Sequence, residues 1–410
     1  MRNRLHACWA IAALTVALPA ASEGIAVPSG LCQVGYWSSN RNLDGQEDVG
    51  LLNCSLAWRQ SLGDAARVVV SGRGGYAVTG SADDWGGRVR EAYLDWQAGA
   101  WSLRLGRQVL AWGRGDRINP TDNLAPRDFT LLVAEDEDQK LGIDAARLRY
   151  ELSSSLSASV LVARFGAHKT PSGSLPSNTV RALEPGGAEW AVKLDHTGSL
   201  DWSLSYFDGY ERFTRYTAVF RSPTAFVFQG EFERSKVLGL DAATALGAWT
   251  IRTELAYSEL QPDCTGCAQY KRKVARAVVG ADRDFLETSN VNFQVFALRR
   301  SNYVDPASLP AARQPLAMGV DRLNSEFGRD EWGITLRVSH RALNERLKVE
   351  VSGIADLTNR SGVLRPRLTY AYSDQLRLGA GADYFRGKTQ SFFGSRKDNQ
   401  TTFVDMGLVF

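Results

Sequence analysis

The sequence predicts an all-β protein, a transmembrane antiparallel up-and-down β-barrel. Three observations predict this fold: apolar and polar residues alternate over segments of about ten residues, tight turns alternate with longer connections, and the mean hydropathy is polar. The only apolar run near the length of a membrane helix is at the very start of the 410 residues. Since each helical span needs about 20 apolar residues, a multi-span helical membrane protein is excluded.

The alternation is clearest in the second half of the chain. Trp332, Ile334, Leu336 and Val338 are separated by Gly333, Thr335 and Arg337. We count eighteen such segments, from 31–38 to 400–410, and an even number is typical of bacterial barrels. The count can differ by two, because residues 213–232 can hold additional β structure, and sixteen strands is also an alternative.

The lengths of the connections distinguish a membrane barrel from a soluble β-sandwich. Eight short breaks, from 61–64 to 373–375, each lie between two strands, and the connections between these pairs are usually longer. Outer-membrane barrels have short periplasmic turns and long extracellular loops, whereas a sandwich has no reason to sort its loops in this way.

The first residues predict the compartment. Arg2 and Arg4 precede the apolar stretch 7–17, and small residues follow it, which is the order of a secretory signal. We therefore expect a signal peptide over 1–22, a barrel over 23–410, and a location in the outer membrane of a Gram-negative bacterium. The net charge of +3 excludes a strongly basic nucleic-acid binder.

The last residues support the same location. Val404, Met406, Leu408 and Phe410 alternate with their neighbours, and this ending resembles the C-terminal insertion signal of outer-membrane barrels. The expected partners are therefore the barrel-assembly machinery, reached through the strand that ends in Phe410, together with outer-membrane lipid and lipopolysaccharide.

The third loop, over 113–139, is the longest and most unusual connection. Its Asn-Pro and Ala-Pro steps restrict the backbone, and long ordered loops tend to be functional. We expect it to fold inward as a constriction, with an external lid as the alternative. Its acidic run 135–138 is either solvated or a Ca²⁺ site, and solvation is the commoner outcome. The candidate constriction residues are Arg114, Asp116, Arg117, Asp122, Arg127 and Asp128.

The segment Leu105-Gly106-Arg107-Gln108, with Trp112-Gly113 and the Asn-Pro-Thr-Asp sequence at 119–122, resembles a strand-loop element of porin-like and alginate-export-like outer-membrane families. The resemblance covers roughly 30 residues. It implies an 18-stranded barrel whose arginine-lined lumen passes anionic solutes or polysaccharide.

Strand parity predicts which side chains face the interior. If the apolar positions face lipid, many arginines face inward, and 39 of the 48 basic residues are Arg. Guanidinium groups bind carboxylates and phosphates in bidentate fashion, and rings of Arg or Lys select anions in pores. The alternative is that inward Arg and acidic residues pair to stiffen the wall. The pore-lining candidates are Arg67, Arg104, Arg147, Arg149, Arg252, Arg337, Arg365, Arg367, Arg377, Glu151 and Glu254.

Four cysteines follow the predicted signal and are expected in an oxidising compartment. Cys32 and Cys54 share a parity and lie almost opposite each other in a hairpin, so we predict a cross-strand disulfide. Cys264 and Cys267 predict a disulfide within a loop. Neither pair has the ligands of a metal site, and Ala268 stands where haem attachment needs His, so we expect no metal and no cofactor.

Together these features predict a channel rather than an enzyme, because the three later histidines, His168, His196 and His340, lie apart from any catalytic constellation at a rim. We expect a porin for small polar, anionic solutes, with an Arg-lined pore narrowed by the third loop. The alternatives are an exporter of an acidic exopolysaccharide, coupled to periplasmic machinery, and a barrel component of a larger envelope complex.

Overall fold

A computed structural model describes residues 26–40, 47–79, 83–133, 136–170, 175–222, 225–262 and 271–410. The predicted signal peptide, Cys264 and Cys267 lie outside these residues. The strands and the one α-helix have the following bounds: β1 (Ser29–Ser39), β2 (Asp48–Leu62), β3 (Ala66–Thr79), β4 (Asp83–Ala98), β5 (Trp101–Gln108), β6 (Ile143–Glu151), β7 (Leu156–Arg164), β8 (Thr179–Val180), β9 (Ala188–His196), β10 (Leu200–Tyr210), β11 (Arg215–Ser222), β12 (Ala225–Glu231), β13 (Arg234–Leu246), β14 (Trp249–Gln261), β15 (Arg272–Phe285), β16 (Ser289–Ser301), α1 (Gln314–Asn324), β17 (Asp330–Ala342), β18 (Leu347–Asp356), β19 (Ser361–Ala371), β20 (Leu376–Arg386) and β21 (Thr401–Val409).

Eighteen of these strands form one closed antiparallel barrel. Each barrel strand pairs with its neighbours along the chain, and β1 also pairs with β21, from Leu31 opposite Val409 to Ser39 opposite Thr401. Closure leaves no unpaired strand edge, which is the condition for a sheet to cross a bilayer. The predicted fold class is confirmed.

The predicted turns are also confirmed. At one end of the barrel, eight connections of two to four residues join consecutive strands, while the connections at the other end include the long ones. The longest of these, between β5 and β6, is loop 3 (residues 109–142). In the part of the chain that the structure describes, no helix has the length and apolar character needed to cross a membrane.

The two faces of the wall differ in the way that parity predicts. One outward row of directly paired residues, across β9, β10 and β13–β17, is entirely apolar: Leu194, Leu204, Leu240, Leu255, Ala277, Ala297 and Trp332. The next inward row over β9, β10, β13 and β14 is polar: Asp195, Ser203, Asp241 and Glu254. Large apolar side chains on the outward face remain exposed in the protein, as a lipid-facing surface requires.

Most strand bounds agree with the prediction within one to three residues, and the largest difference, at the end of β5, borders loop 3. The sequence predicts strands over 101–112 and 140–152, whereas β5 ends at Gln108 and β6 begins at Ile143. The reason is that Leu110 and Trp112 are not wall residues: they join a buried apolar cluster inside the barrel. Val109, Leu110, Ala111 and Trp112 are all apolar, so the sequence does not mark the point at which the chain leaves the sheet.

The additional β structure expected over 213–232 lies outside the barrel wall. β11 and β12 form a hairpin, and β12 pairs with β8 in a separate three-stranded sheet. Asn324, the last residue of α1, accepts from the Tyr216 backbone N–H at 2.8 Å and donates to its carbonyl at 2.9 Å. This sheet and helix lie at the end with long loops, so they do not change the strand count of eighteen.

A disulfide joins Cys32 of β1 to Cys54 of β2, which are direct partners in the register. Cys32 is also opposite Leu408 of β21. The covalent bond therefore lies beside the seam where the first and last strands close the barrel.

Candidate functional site

Loop 3 crosses the barrel interior and is anchored there by apolar packing. Leu110, Trp112 and Leu124 form one buried cluster with inward-facing residues of β6, β7, β9, β10, β13 and β14, and Leu124 is 0% exposed. Burying one such side chain contributes about 1.5–3 kcal/mol. The wall residues of this cluster are Ile143, Ala145, Leu161, Ala163, Ala191, Phe207, Val237 and Ala256.

The segment that carries the family resemblance folds into a compact turn within loop 3. The Asn119 side chain donates to the Trp112 carbonyl at 2.6 Å, and its oxygen accepts from the Thr121 hydroxyl at 3.2 Å and the Asp122 N–H at 3.0 Å. Gly113 has φ of +83°, and a Cβ there would collide with the Asn119 and Thr121 side chains. The Trp-Gly and Asn-Pro-Thr-Asp sequences are thus two halves of one turn.

Glu254 of β14 binds this turn to the wall. One carboxylate oxygen accepts the backbone N–H groups of Arg114 and Gly115, and the other accepts the Thr121 N–H at 3.2 Å and its hydroxyl at 3.0 Å. A side chain at Gly115 would collide with the Ile118 carbonyl. Glu254 is predicted to line a pore, but it is 1% exposed and faces loop 3 instead of open lumen, because the loop backbone covers it.

The candidate constriction residues connect loop 3 to several sectors of the wall. Arg114 donates to Asp241 of β13 at 2.7 Å, and Arg337 of β17 lies 3.3 Å from Asp116. Arg117 donates to Asp136 at 2.6 Å and to Ser352 of β18 at 2.8 Å. The loop therefore contacts strands far apart around the barrel, which an external lid would not do.

The remaining constriction candidates hold the loop to its neighbours. The Arg127 N–H donates to Nδ1 of His168 at 2.8 Å, and Arg88 of β4 donates to Asp128 at 2.7 Å. Burial, together with the nearby cations Arg212 and Arg127, lowers the pKa of His168 to about 3, so this ring is a neutral acceptor. Burial raises the pKa of Asp122 to about 6, and its carboxyl oxygen lies 3.4 Å from the Trp112 N–H.

The described part of the acidic run, 136–138, binds arginine. Asp136 accepts from Arg365 of β19 at 2.9 Å, and Asp138 pairs with Arg73 of β3 at 2.7 Å. Glu137 pairs with Lys140 within the loop at 2.7 Å. Among the described residues, no group of three or more His, Cys, Asp or Glu side chains is arranged to hold a metal ion. These carboxylates are internal counter-ions.

Six of the nine predicted inward arginines have carboxylate partners. Arg67 and Arg104 share Asp95 at 3.0 and 2.9 Å, and Arg365 and Arg367 share Asp383 at 3.1 and 2.6 Å. Arg337 pairs with Asp116, and Arg252 of β14 with Asp282 of β15. Sequence reasoning did not select Asp95 or Asp282, although their place across a hairpin from an arginine is a usable signal.

The other three arginines, Arg147, Arg149 and Arg377, form no ion pair among the residues that the structure describes. Arg147 lies directly opposite Arg104 of β5, and Arg149 lies opposite Ser102. Arg149 and Glu151 are exposed near the end of β6 that carries the short turn. Arg104 is bound to Asp95, so the adjacent guanidinium group of Arg147 leaves positive charge for an anion.

Two cavities flank loop 3. The smaller, of about 160 Å³, lies between the loop and strands β17–β19, with Asp116, Arg117 and Asp136 on one side and Arg337, Glu350 and Arg365 on the other. The larger, of about 370 Å³, lies between residues 118–123 and strands β10, β15 and β16. Arg276 faces this second cavity and donates to the Ser258 hydroxyl at 3.2 Å.

A second charged cluster, which the sequence did not reveal, ties the outer sheet to the wall. Glu326, which follows α1, pairs with Arg215 of β11 at 3.1 Å and with Arg272 of β15, and Arg272 also binds Glu233. Arg300 of β16 pairs with Glu331 at 2.6 Å. Glu326 and its partners Arg215 and Arg272 lie far apart in the sequence, so no local pattern marks them.

An 18-stranded closed barrel with an apolar outer face, a charged interior and a long loop folded inward is the porin type of outer-membrane protein. This fold and its apolar outer face place the protein in the outer membrane of a Gram-negative bacterium. No family model matches the sequence, and no curated protein matches it.

Solved structures share the fold. The chain is similar to OccAB1 of Acinetobacter baumannii (TM-score 0.57, 10% identity, covering 95% of this chain and 98% of that one). It is similar to OccK2 (OpdF) of Pseudomonas aeruginosa in complex with glucuronate (TM-score 0.57, 11% identity, 95% and 99%). OpdK of the same species with vanillate gives a TM-score of 0.53 at 12% identity over 93% and 98%. These structures support the porin-like part of the resemblance and give no support to the alginate-export-like part.

Proposed function

We propose that the protein is an outer-membrane channel for small anionic solutes, which pass an Arg-lined interior narrowed by loop 3. The observation that carries the proposal is the pair Arg147 and Arg149, which face the interior without a carboxylate partner among the described residues. Arginine at such a position attracts carboxylates and phosphates and excludes cations.

Two further observations support this function. Glucuronate and vanillate, with which OccK2 and OpdK were crystallised, are both carboxylates. Loop 3 makes contacts with β13, β14 and β17–β19 across the interior, which favours small solutes over the exopolysaccharide chain of the alternative function. Outer-membrane lipid, lipopolysaccharide and the barrel-assembly machinery are the partners we propose for the outer face and for the strand that ends in Phe410.

The test is planar-bilayer recording of the purified full-length protein under a KCl gradient at low salt, where charge effects are least screened. We expect a reversal potential that indicates anion preference. Arg147→Gln combined with Arg149→Gln should lower the ratio of anion to cation permeability by about twofold or more, because these charges are not neutralised by the wall.

The matched control is Arg299→Gln. Arg299 faces outward on β16 and pairs with Asp330, so its removal should leave the ratio unchanged. The absence of conductance, a cation preference, or a ratio that the double variant does not change would contradict the proposed function.

A further inference from the structure

Asp136 of loop 3 is bound to Arg365, a wall arginine that faces the smaller cavity. Nη1 of Arg365 donates to both oxygens of Asp136 at 2.9 Å, and Nη1 of Arg117 donates to one of them at 2.6 Å. All three side chains line this cavity of about 160 Å³. A carboxylate that entered the cavity would therefore find Arg365 already bound to a carboxylate.

The contact between Asp136 and Arg365 differs from the contact between Glu254 and loop 3 in its exposure and in its hydrogen bonds. Glu254 is 1% exposed and accepts four hydrogen bonds, three of them from backbone N–H groups. The Asp136 side chain is 37% exposed. The Arg365 side chain is 24% exposed, and an ion pair that water reaches is weaker than a buried one because water solvates both partners when they separate. Water reaches both Asp136 and Arg365, so separating them costs less than separating Glu254 from its four donors.

Arg365 keeps a carboxylate partner when Asp136 moves away. Asp383 of β20 holds its other edge at 3.1 Å and also binds Arg367 at 2.6 Å. The guanidinium therefore stays in place on the wall, and Nη1, which faced both oxygens of Asp136, is free to donate to another carboxylate.

We propose that Asp136 is an internal counter-ion of Arg365 that determines specificity: a passing carboxylate displaces Asp136 and takes its two hydrogen bonds. This inference rests on the proposed function and deepens it. Loop 3 therefore does more than narrow the interior, because it supplies the carboxylate with which every carboxylate solute competes for Arg365. Small cations and neutral solutes gain nothing from the exchange.

Asp116 of loop 3 provides the same arrangement with Arg337 of β17, which lies two strands from β19. It lies 3.3 Å from Arg337, both residues face the same cavity, and neither side chain is fully buried. Two wall arginines that face one cavity are thus each matched by one loop carboxylate, which is the pattern expected of replaceable counter-ions.

The test compares Asp136→Asn with the wild type by planar-bilayer recording of the full-length protein, with glucuronate as the probe anion. The variant leaves Arg365 with one carboxylate partner, so we expect the ratio of anion to cation permeability to rise by about twofold. The glucuronate concentration that half-saturates the current should fall. Asp136→Asn combined with Arg365→Gln should return the permeability ratio toward the wild type, as a double-mutant cycle on one interaction requires.

Asp144→Asn is the matched control, because Asp144 of β6 pairs with Arg107 at 3.3 Å on the outward face. An increase in conductance and current noise with an unchanged permeability ratio would mean that Asp136 only holds the loop, and would overturn the inference. If Arg147→Gln with Arg149→Gln lowers the ratio while Asp136→Asn does not raise it, the inference fails and the proposed function stands.

Discussion

Two sectors of the inner wall both carry arginine and differ in what lies opposite. In the covered sector, β17–β19, loop 3 contacts Arg337 and Arg365, and Asp383 of β20 binds Arg367. In the open sector, β5–β6, Arg147 and Arg149 have no ion pair among the described residues. The difference teaches that parity identifies an inward arginine, but its counter-ion decides whether it acts as a free positive charge.

The covered sector depends on loop 3 staying in place, and Glu254→Ala is the change that we expect to disturb it most. The variant removes an acceptor from three backbone N–H groups and one hydroxyl. Each hydrogen bond to a charged group contributes about 1.5–3 kcal/mol, so the loop should lose several kcal/mol of anchoring. Bilayer recording should show higher mean conductance and more open-channel noise. The arginines of the covered sector should then lose their loop carboxylates and become like the unpaired arginines of the open sector.

Glu254→Gln retains one acceptor oxygen and should have an intermediate effect. Glu259→Gln is the matched control, because Glu259 faces outward on the same strand and pairs with Lys273 at 3.8 Å. Wild-type conductance and noise in Glu254→Ala would show that loop 3 keeps its position without this contact.

Trp112→Ala tests the apolar anchor of loop 3, which lies nearer to the open sector. The ring belongs to the buried cluster and lies 5.8 Å from the Lys193 ammonium. Truncating a buried Trp destabilises a protein by about 3–5 kcal/mol. Here the loss should destabilise the position of loop 3, because the hydrogen bonds between the barrel strands are unchanged. Limited proteolysis should therefore cut loop 3 faster while heat-resistant migration of the barrel on gels persists.

Trp332→Ala is the comparison for this variant, because Trp332 is an outward-facing ring of β17. It should leave the protease sensitivity of loop 3 at the wild-type level. Equal cleavage of wild type and Trp112→Ala would mean that the polar contacts alone hold the loop.

The architecture could be predicted from the sequence because its signals are local. A period of two along a strand, a turn of two to four residues and the hairpin that places Cys32 opposite Cys54 all involve neighbours in the chain. The pairing of Arg365 with Asp383 is of this kind too, because the two residues face each other across one hairpin.

The site could be predicted only in outline. Asp136 and Arg365 are 229 residues apart, and Gly115 and Glu254 are 139 apart. Their contacts depend on the stagger between strands and on the path of loop 3 through the interior, which are properties of the closed barrel. Parity therefore placed Glu254 on the inward face correctly but could not show that a loop would cover it.

The smallest effect that we expect is a pH dependence of loop 3 through Asp122. Burial raises its pKa from the ordinary 3.8 to about 6. Because the folded-state pKa is higher than the unfolded one, the protonated carboxyl stabilises the turn below about pH 4, and this contribution is lost as the pH rises through about 6. Open-channel noise should therefore be lower at about pH 5 than at about pH 7.5.

Asp122→Asn should remove this difference, since the amide keeps an oxygen that can accept from the Trp112 N–H and does not titrate in this range. The control variant Asp144→Asn, on the outward face, should retain the difference in open-channel noise between the two pH values. A pH dependence that survives in Asp122→Asn would assign the titration to another group. The loss of the dependence in that variant alone would show that the covered sector is tuned by the turn of loop 3.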